Sequence, residues 1–523
     1  MAANSNLKTN YDCIIIGAGH NGLICAAYLA KAGKQVLVVE AAADIGGAAA
    51  THEFVPNFKV SSAHLLHLMP QSLISELGLE KHGLRLAAQE LASTALSADG
   101  KHLNLSASGV AAQSPADAAS YPVFMARMRR LAGSLSTLFG ATAPRLGTTA
   151  WSDRFAFLKL GWQIRRLGKK DMRELLRIIG MNVYDLLEDE IHSPALKGAL
   201  AFDATLGANL GPRAPGTVLT WLYRLTHESA NGGKGLSQVV GGMGGLTAAL
   251  ANAARGFGAQ IETHSPVARV LVANDRVSGI ALQSGHTVVA PIVISSADPK
   301  TTFLKLLGPE HLDTGFVRKV HHSRARGVVA KLHLALNKLP SFTGLAPDAL
   351  SGRLVISPTL DYLERAFDQP KYGAYSPAPA MEITIPTVND PSLAPAGQHV
   401  LSAIIECAPR DLRQGWENAR EAYLTELLAQ LETYAPGLKD SIVGSELMTP
   451  VDIETRYGNQ GGHWHHTELA FDQFYFVRPV PGAAQYSTPV SGLYLCGAGA
   501  HPGGGVAGVV GRLAAQAVLA KAG

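Results

Sequence analysis

The chain has 523 residues, 47% of them hydrophobic and 16% charged, with a formal net charge of +4. That length supplies core for two intertwined domains, and so small a net charge gives no case for nucleic acid as a partner. Cys13, Cys25, Cys407 and Cys496 show no C-x-x-C spacing, which argues against a redox-active disulfide and for buried thiols in a reducing compartment.

Residues 1–10 are polar, without the apolar centre of a signal peptide, and no apolar run reaches the ~20 residues that span a bilayer. The expected location is cytoplasmic, or peripheral on a membrane; in a eukaryote it is the mitochondrial matrix, although no clear transit peptide is present. An apolar strand over 11–16 leads into Gly17-Ala18-Gly19-His20-Asn21-Gly22. A G-x-G-x-x-G between a strand and a helix lets backbone N–H groups approach a pyrophosphate, which the helix N-terminus attracts. Leu23, Ala26, Ala27 and Ala30 give that helix a small-residue stripe for close packing on a sheet, and Gly33 stops it. A second strand ends at Glu40, where a carboxylate accepts a hydrogen bond from a ribose hydroxyl and disfavours a 2′-phosphate. Next comes Asp44-Ile45-Gly46-Gly47-Ala48, a glycine pair that lets a loop pass close to a bound dinucleotide and is more typical of FAD enzymes than of NAD dehydrogenases.

These segments resemble the phytoene desaturase and phytoene-dehydrogenase-related FAD oxidoreductases of the amine oxidase-like branch. The stretch 17–23 looks most like the group of pyridine nucleotide-disulfide oxidoreductase domain-containing proteins. The resemblance implies an α/β fold: a glutathione-reductase-like, Rossmann-type FAD-binding domain with a second, α+β substrate domain. It implies FAD and an apolar small-molecule substrate; no Cys or His stands in a recognisable flavinylation context, so the FAD is expected to be non-covalent.

The C-terminal end agrees. A short strand over 492–496, the turn Gly497-Ala498-Gly499 through Gly503-Gly504-Gly505-Val506, and a helix over 507–520 match the family segment that closes the FAD site. There Gly497 and Ala498 lie by the pyrophosphate and ribityl chain, and Gly505 and Val506 lead into a helix whose N-terminus points at the flavin. Gly241-Gly242-Met243-Gly244-Gly245 precedes a helix over 246–255. Hairpin turns follow at Asn274-Asp275 and Ser284-Gly285, and the resemblance puts the main chain at Val267 on the adenine. No strand with a terminal acid follows this glycine run, so no NADPH domain is expected. The FAD domain is thus discontinuous, over 9–75, 235–300 and 485–520. The insertions 76–234 (mostly helical) and 301–484 (strands plus a helix over 411–434) build the substrate side.

For chemistry, the family's flavin-proximal histidine aligns best with His466 in Gly458-Asn459-Gln460-Gly461-Gly462-His463-Trp464-His465-His466. The neighbouring Trp464, His463 and His465 depart from the commoner pattern. His466, His463 and His64 are candidate catalytic residues because imidazole titrates near neutrality; His67 shares the position of His64. His463 and His465 at i, i+2 share a side only on a strand, which argues against a metal site. Arg478, Tyr486 and Pro489 read as structural.

The stretch 151–180 carries Arg154, Lys159, Arg165, Arg166, Lys169, Lys170, Arg173 and Arg177 beside Trp151, Phe155, Phe157, Leu158 and Trp162, a composition compatible with peripheral membrane contact or with an ordinary surface helix. The leading functional reading is an FAD-dependent oxidoreductase that dehydrogenates or saturates an isoprenoid or lipid-like substrate. The alternatives are a flavin-dependent polyene isomerase without net redox, and an FAD-binding regulatory or partner-binding protein. Nothing in the sequence sets an oligomeric state.

Overall fold

A computed structural model describes residues 8–145, 147, 150–231 and 235–522; the first seven residues of the polar stretch 1–10 lie outside the described residues. A five-stranded sheet runs in the order Leu493–Leu495, Val293–Ser295, Cys13–Ile16, Val36–Val39, Gln260–Glu262, and every neighbouring pair is parallel. The first four of these strands are buried throughout. A parallel strand covered on both faces has no polar side to show, which is why Cys13–Ile16 and Val36–Val39 read as unbroken apolar runs.

Helices His20–Lys31, Met243–Gly256 and Val509–Ala522 join this sheet in one apolar core. The first and last approach closely because Gly511 has no side chain: a Cβ there would lie 2.3 Å from the Asn21 carbonyl oxygen. Gly22 plays the same part at the other end of the turn, where a Cβ would meet the Gly17 carbonyl oxygen at 2.2 Å. The hairpin turn between Val267–Ala273 and Arg276–Leu282 has positive φ at both Asn274 and Asp275, as a two-residue turn matching strand twist requires.

A second, mostly antiparallel sheet has seven strands, in the order Ile442–Met448, Ala330–Leu336, His399–Ile405, Met381–Thr384, Arg353–Ile356, Ser93–Ala95, Leu103–Asn104. Alternation divides its side chains. Leu332, Leu334, Leu336, Ile383, Leu401, Ala403 and Ile405 form one core with Trp416, Tyr423, Leu427 and Leu431 of the helix Trp416–Tyr434. Lys331, His333, Glu382, Thr384 and Ser402 alternate with them and therefore face the other way. The hairpin of Thr51–Val55 and Phe58–Ser61 covers part of that second face, packing Phe58 and Val60 on Ala335 and Val400. A helical layer that includes Ser120–Ser134, Pro194–Thr205 and Thr217–Ala230 has its own core.

Element ends shift where glycine sets the backbone. The helix read over 411–434 begins only at Trp416, after Gly415 at φ +76°. The terminal helix read over 507–520 spans Val509–Ala522, after Gly508 at φ +71°. Cys496 follows the last strand instead of lying in it, and all four cysteines are buried free thiols.

Candidate functional site

The carboxyl ends of the parallel strands gather the glycine turns. Gly17 leaves the first strand at φ +94°, and Gly19 precedes the helix His20–Lys31 without any side chain capping it. The N–H groups of that first turn are therefore free to face an anion. A Cβ on Gly19 would meet only Ser296 Oγ, at 3.8 Å, so the space beside it is open. Glu40, at the end of the second strand, accepts from the Ala18 N–H at 2.7 Å and the Ala42 N–H at 2.9 Å. Its carboxylate braces the turn and keeps lone pairs for a further donor. Gly46 and Gly47 both have positive φ, and Gly46 N–H donates to the Ala18 carbonyl. This lays Ala48 and the glycine pair against Gly19, whose Cα lies 3.5 Å from a Cβ built on Gly47. The N–H groups of His264 and Ser265 donate to the Ala42 and Glu40 carbonyls, and Val267 begins the next strand close by. Asn21 is buried with its Oδ1 unpartnered.

The C-terminal turn meets the histidine segment here. Gly497 sits against the Ser296 carbonyl oxygen, 2.4 Å from where its Cβ would be. Gly504 lies as close to His465 Nδ1, at 2.6 Å, and Gly499 comes within 3.3 Å of the His466 Cβ. Gly505 and Val506 both take positive φ as the chain turns toward the last helix.

What joins the two segments is Arg478, which is fully buried. Its guanidinium donates to the carbonyls of His465 at 2.7 Å, Glu468 at 3.1 Å and Thr467 at 3.4 Å on one side. On the other side it donates to Ala498 at 2.9 Å and Ala500 at 3.3 Å, and it also donates to Gln473 at 3.2 Å. Burial pulls Arg478 down to about 10, so the cation persists at neutral pH. Tyr486 adds a second tie, donating to the His501 carbonyl at 3.1 Å.

His463, His465 and His466 follow a short 3-10 turn, Gln460–Gly462, not a strand. The rings of His463 and His465 nevertheless lie 5.7 Å apart, brought together by the turn instead of by alternation. Burial takes His463 down to about 4, and His20 to about 4 with His466 adding repulsion. Burial also lowers His466, against an opposing pull from Asp298. These imidazoles are neutral at pH 7. His20 Nε2, His463 Nε2, His465 Nδ1 and His466 Nδ1 are buried without hydrogen-bond partners, as a polar ligand at the turn would require. Among the described residues no three His, Cys, Asp or Glu side chains converge as a metal site.

His64 lies elsewhere, on the second face of the mixed sheet. Its Nδ1 is 3.2 Å from Thr384 Oγ1 and its Nε2 is 3.4 Å from Ser402 Oγ, which lies 2.9 Å from His333 Nδ1. A cavity of about 30 Å³, room for roughly two waters, is lined by His64, Thr384, Ser402 and residues of the hairpin and Gly242 turn. Lys331 is buried beside this chain with its Nζ unpartnered, and burial holds it far below the usual lysine range.

Glu382 accepts from Arg353 Nε at 2.6 Å, and Arg353 also donates to Asp203 at 2.6 Å. Burial raises Glu382, but Arg353 and Arg224 outweigh it and keep the carboxylate ionised. Glu406 has no such partner. Burial pushes it up to about 8, with one oxygen unpaired and the other 3.5 Å from Thr205 Oγ1.

Sequence reasoning took Arg478 as structural, in line with its bonds to six main-chain carbonyls, but gave no sign of which segments it joins, and it missed Lys331, Glu382 and Glu406. A lysine inside the apolar run Val328-Val329-Ala330-Lys331-Leu332 was a usable signal, because buried strands seldom hold an unpaired cation.

The model of the flavin-containing amine oxidoreductase family matches residues 22–519. The chain belongs to that family. Pyridine nucleotide-disulfide oxidoreductase domain-containing protein 2 of Rattus norvegicus is 37% identical, over 99% of this chain and 94% of its own. A lycopene-forming phytoene desaturase of Pseudescherichia vulneris is 26% identical, over 75% of this chain and 74% of its own. Putrescine oxidase bound to putrescine superposes with a TM-score of 0.61 at 16% identity, covering 98% of this chain and 99% of that one. The protein is thus an FAD-dependent oxidoreductase of mixed α/β fold, and the glycine turns with their unpartnered buried polar atoms fit that cofactor.

Replacing Arg478 with Lys keeps the charge, but one ammonium cannot span both segments. R478K is expected to lose most of its flavin on gel filtration and to cost about 3–5 kcal/mol in stability; a variant with wild-type flavin content and melting temperature would refute the clamp.

For Glu406, a folded-state value above the unfolded one means stability present below about pH 4 and lost as pH rises through 8. E406Q removes this loss. Its melting temperature relative to wild type should climb between pH 5 and pH 8.5, by an equivalent of order 3–5 kcal/mol. A pH-independent difference would show that Glu406 is ionised in the fold.

Proposed function

We propose that the protein dehydrogenates an isoprenoid or lipid-like substrate in a pocket between the glycine turns and the second face of the mixed sheet. The observation that carries the reading is the convergence of three distant glycine segments, 17–22, 46–47 and 497–505, at the carboxyl ends of one parallel sheet, with neutral buried histidines beside them. In this reading Gly17, Gly19, Asn21 and Gly22 hold the pyrophosphate, Glu40 a ribose hydroxyl, and the main chain at Val267 the adenine. Gly46, Gly47 and Ala48 cover the cofactor's middle, while Gly497, Ala498, Gly505 and Val506 face its ring end, in a glutathione-reductase-like arrangement. Bound FAD supplies the hydride acceptor. In the same reading His466 and His463, neutral because burial disfavours their charged forms, are the candidate proton acceptors, and His64 orients the far end of the substrate through the Thr384 and Ser402 hydroxyls.

Two features support the substrate class. Val328, Val329, Ile404, Leu206 and Trp464 form an apolar cluster next to the polar row of the same sheet face. A molecule with an apolar body and one polar end matches both. The related desaturase acts, by its name, on phytoene. No second dinucleotide motif accompanies the first, so electrons enter most simply from the organic substrate.

Anaerobic absorbance titration of the purified protein tests this reading. The flavin bands should stay oxidised with NADH or NADPH and bleach with an unsaturated apolar compound that the enzyme accepts. Prompt bleaching by a pyridine nucleotide would overturn the dehydrogenase reading in favour of a reductase or a reduced-flavin isomerase.

The cofactor assignment has its own test. Because the space beside Gly19 is open, G19V should fold with a wild-type circular dichroism spectrum yet purify colourless; a yellow, active G19V protein would sink the assignment of this turn.

A further inference from the structure

The helix Trp151–Arg166 has two unlike faces. Leu160, Ile164 and the adjoining Leu167 pack on the helical core. Asp153 is buried on the same side and accepts from Gln485 Nε2 at 2.8 Å. Opposite them, Trp151, Phe155, Leu158 and Trp162 fall within roughly 60° of one another at 100° per residue. They are 80%, 68%, 69% and 64% exposed. A contiguous apolar stripe of this size on a surface marks an interaction site.

Its borders are cationic on both sides. Arg154 and Arg165 flank the stripe on one edge, Lys159 and Arg166 on the other, by the same helical geometry. The next helix, Gly168–Ile178, adds exposed Lys169, Lys170 and Arg173. Over 151–177 there are eight Lys and Arg against three Asp and Glu, a surplus of five in a protein whose net charge is +4. The three acids are already engaged: Asp153 with Gln485, Asp171 with Arg130 and Glu174 with Arg177. Lys159, Arg165, Arg166 and Lys169 form no ion pair among the described residues.

We propose that this helix lies in the interface of an anionic phospholipid bilayer, its aromatic stripe among the acyl chains and its cationic borders on the headgroups. Tryptophan and phenylalanine favour that depth, and each basic side chain near an anionic surface adds attraction. The charge pattern argues against a second copy of the chain: an isologous contact would press like-charged borders together. No helix of the described residues is long and apolar enough to cross a membrane, so the contact is one of lying on the surface. Gln485, which anchors Asp153, also donates to the Ala143 carbonyl and precedes Tyr486, so the docked helix is tied to the segment that bonds His501.

The test is co-sedimentation of the FAD-loaded protein with phosphatidylcholine vesicles, with and without phosphatidylglycerol. The protein should pellet with the anionic vesicles, with a blue shift in tryptophan emission, and should be released by high salt. The combined W151S/F155S/L158S/W162S variant should keep its flavin spectrum and bind at least about tenfold more weakly. K159E/R165E/R166E, which leaves the stripe intact, should lose binding to the anionic vesicles; it serves even if the first variant folds poorly. Three results would overturn the proposal: a wild-type protein that stays in the supernatant with anionic vesicles, variants that bind like wild type, or a stripe variant whose mass by light scattering falls by half, which would assign the face to a second copy.

Discussion

The site depends on one buried cation. Arg478 is closed off from solvent and spends its N–H groups on six main-chain carbonyls from two segments that meet nowhere else in sequence. A lone buried charge would cost several kcal/mol, and here carbonyl dipoles take the place of a carboxylate. One guanidinium thus holds two irregular loops side by side and satisfies carbonyls that no helix or sheet ladder reaches.

A second buried network holds the helical layer to the mixed sheet. Arg353 on one strand bridges Glu382 on the neighbouring strand and Asp203 on the helix Pro194–Thr205. Arg224 of the helix Thr217–Ala230 reaches the same Asp203 at 3.5 Å and Glu228 at 3.2 Å. Since each charge is paired, the network's cost lies in desolvation and its return in orientation. It fixes the angle at which the helices meet the sheet, and with it the position of the polar row that ends at His64. Lys331 and Glu406 stand at the margins of this network without close partners. Burial acts on both toward the neutral form, so the sheet face is polar in hydrogen-bonding capacity while carrying less charge than its composition implies.

What was legible in the sequence was local. A strand, a glycine turn, a helix and a terminal acid within thirty residues constrain one another, so the 11–40 segment could be read without knowing what surrounds it. The terminal turn was legible for the same reason. Less was legible where meaning depends on long-range contact. Arg478 beside Pro479 looks like an ordinary loop residue until the His465 and Ala498 carbonyls are seen around it. His463 and His465 were expected to share a side only on a strand, whereas a turn closed by the His466 N–H on the His463 carbonyl brings their rings together. His64 was singled out for its imidazole, and its contacts with Thr384 and Ser402 on two strands of the mixed sheet could not be read from its own segment. The 151–180 segment was ambiguous in composition alone, because periodicity cannot say which stripe a helix buries. Only the packing of Leu160 and Ile164 leaves Trp151 and Trp162 facing outward.

The order of strands carries the last constraint. Val293–Ser295 pairs with Cys13–Ile16 on one side and with Leu493–Leu495 on the other, so the chain's two ends are stitched together by its middle. Gly511 then seats the final helix against Asn21, in the first glycine turn. Neither end has a place in the sheet without the middle strand: Cys13–Ile16 and Leu493–Leu495 both pair with Val293–Ser295 and not with each other. Nearly five hundred residues separate Gly17 from Gly505. Closing that span costs chain entropy that grows only slowly with length, and the large apolar core shared by the three segments can meet it. The missing side chains at Gly22 and Gly511, which let the first turn and the last helix approach so closely, thus serve the same closure that joins the chain's two ends.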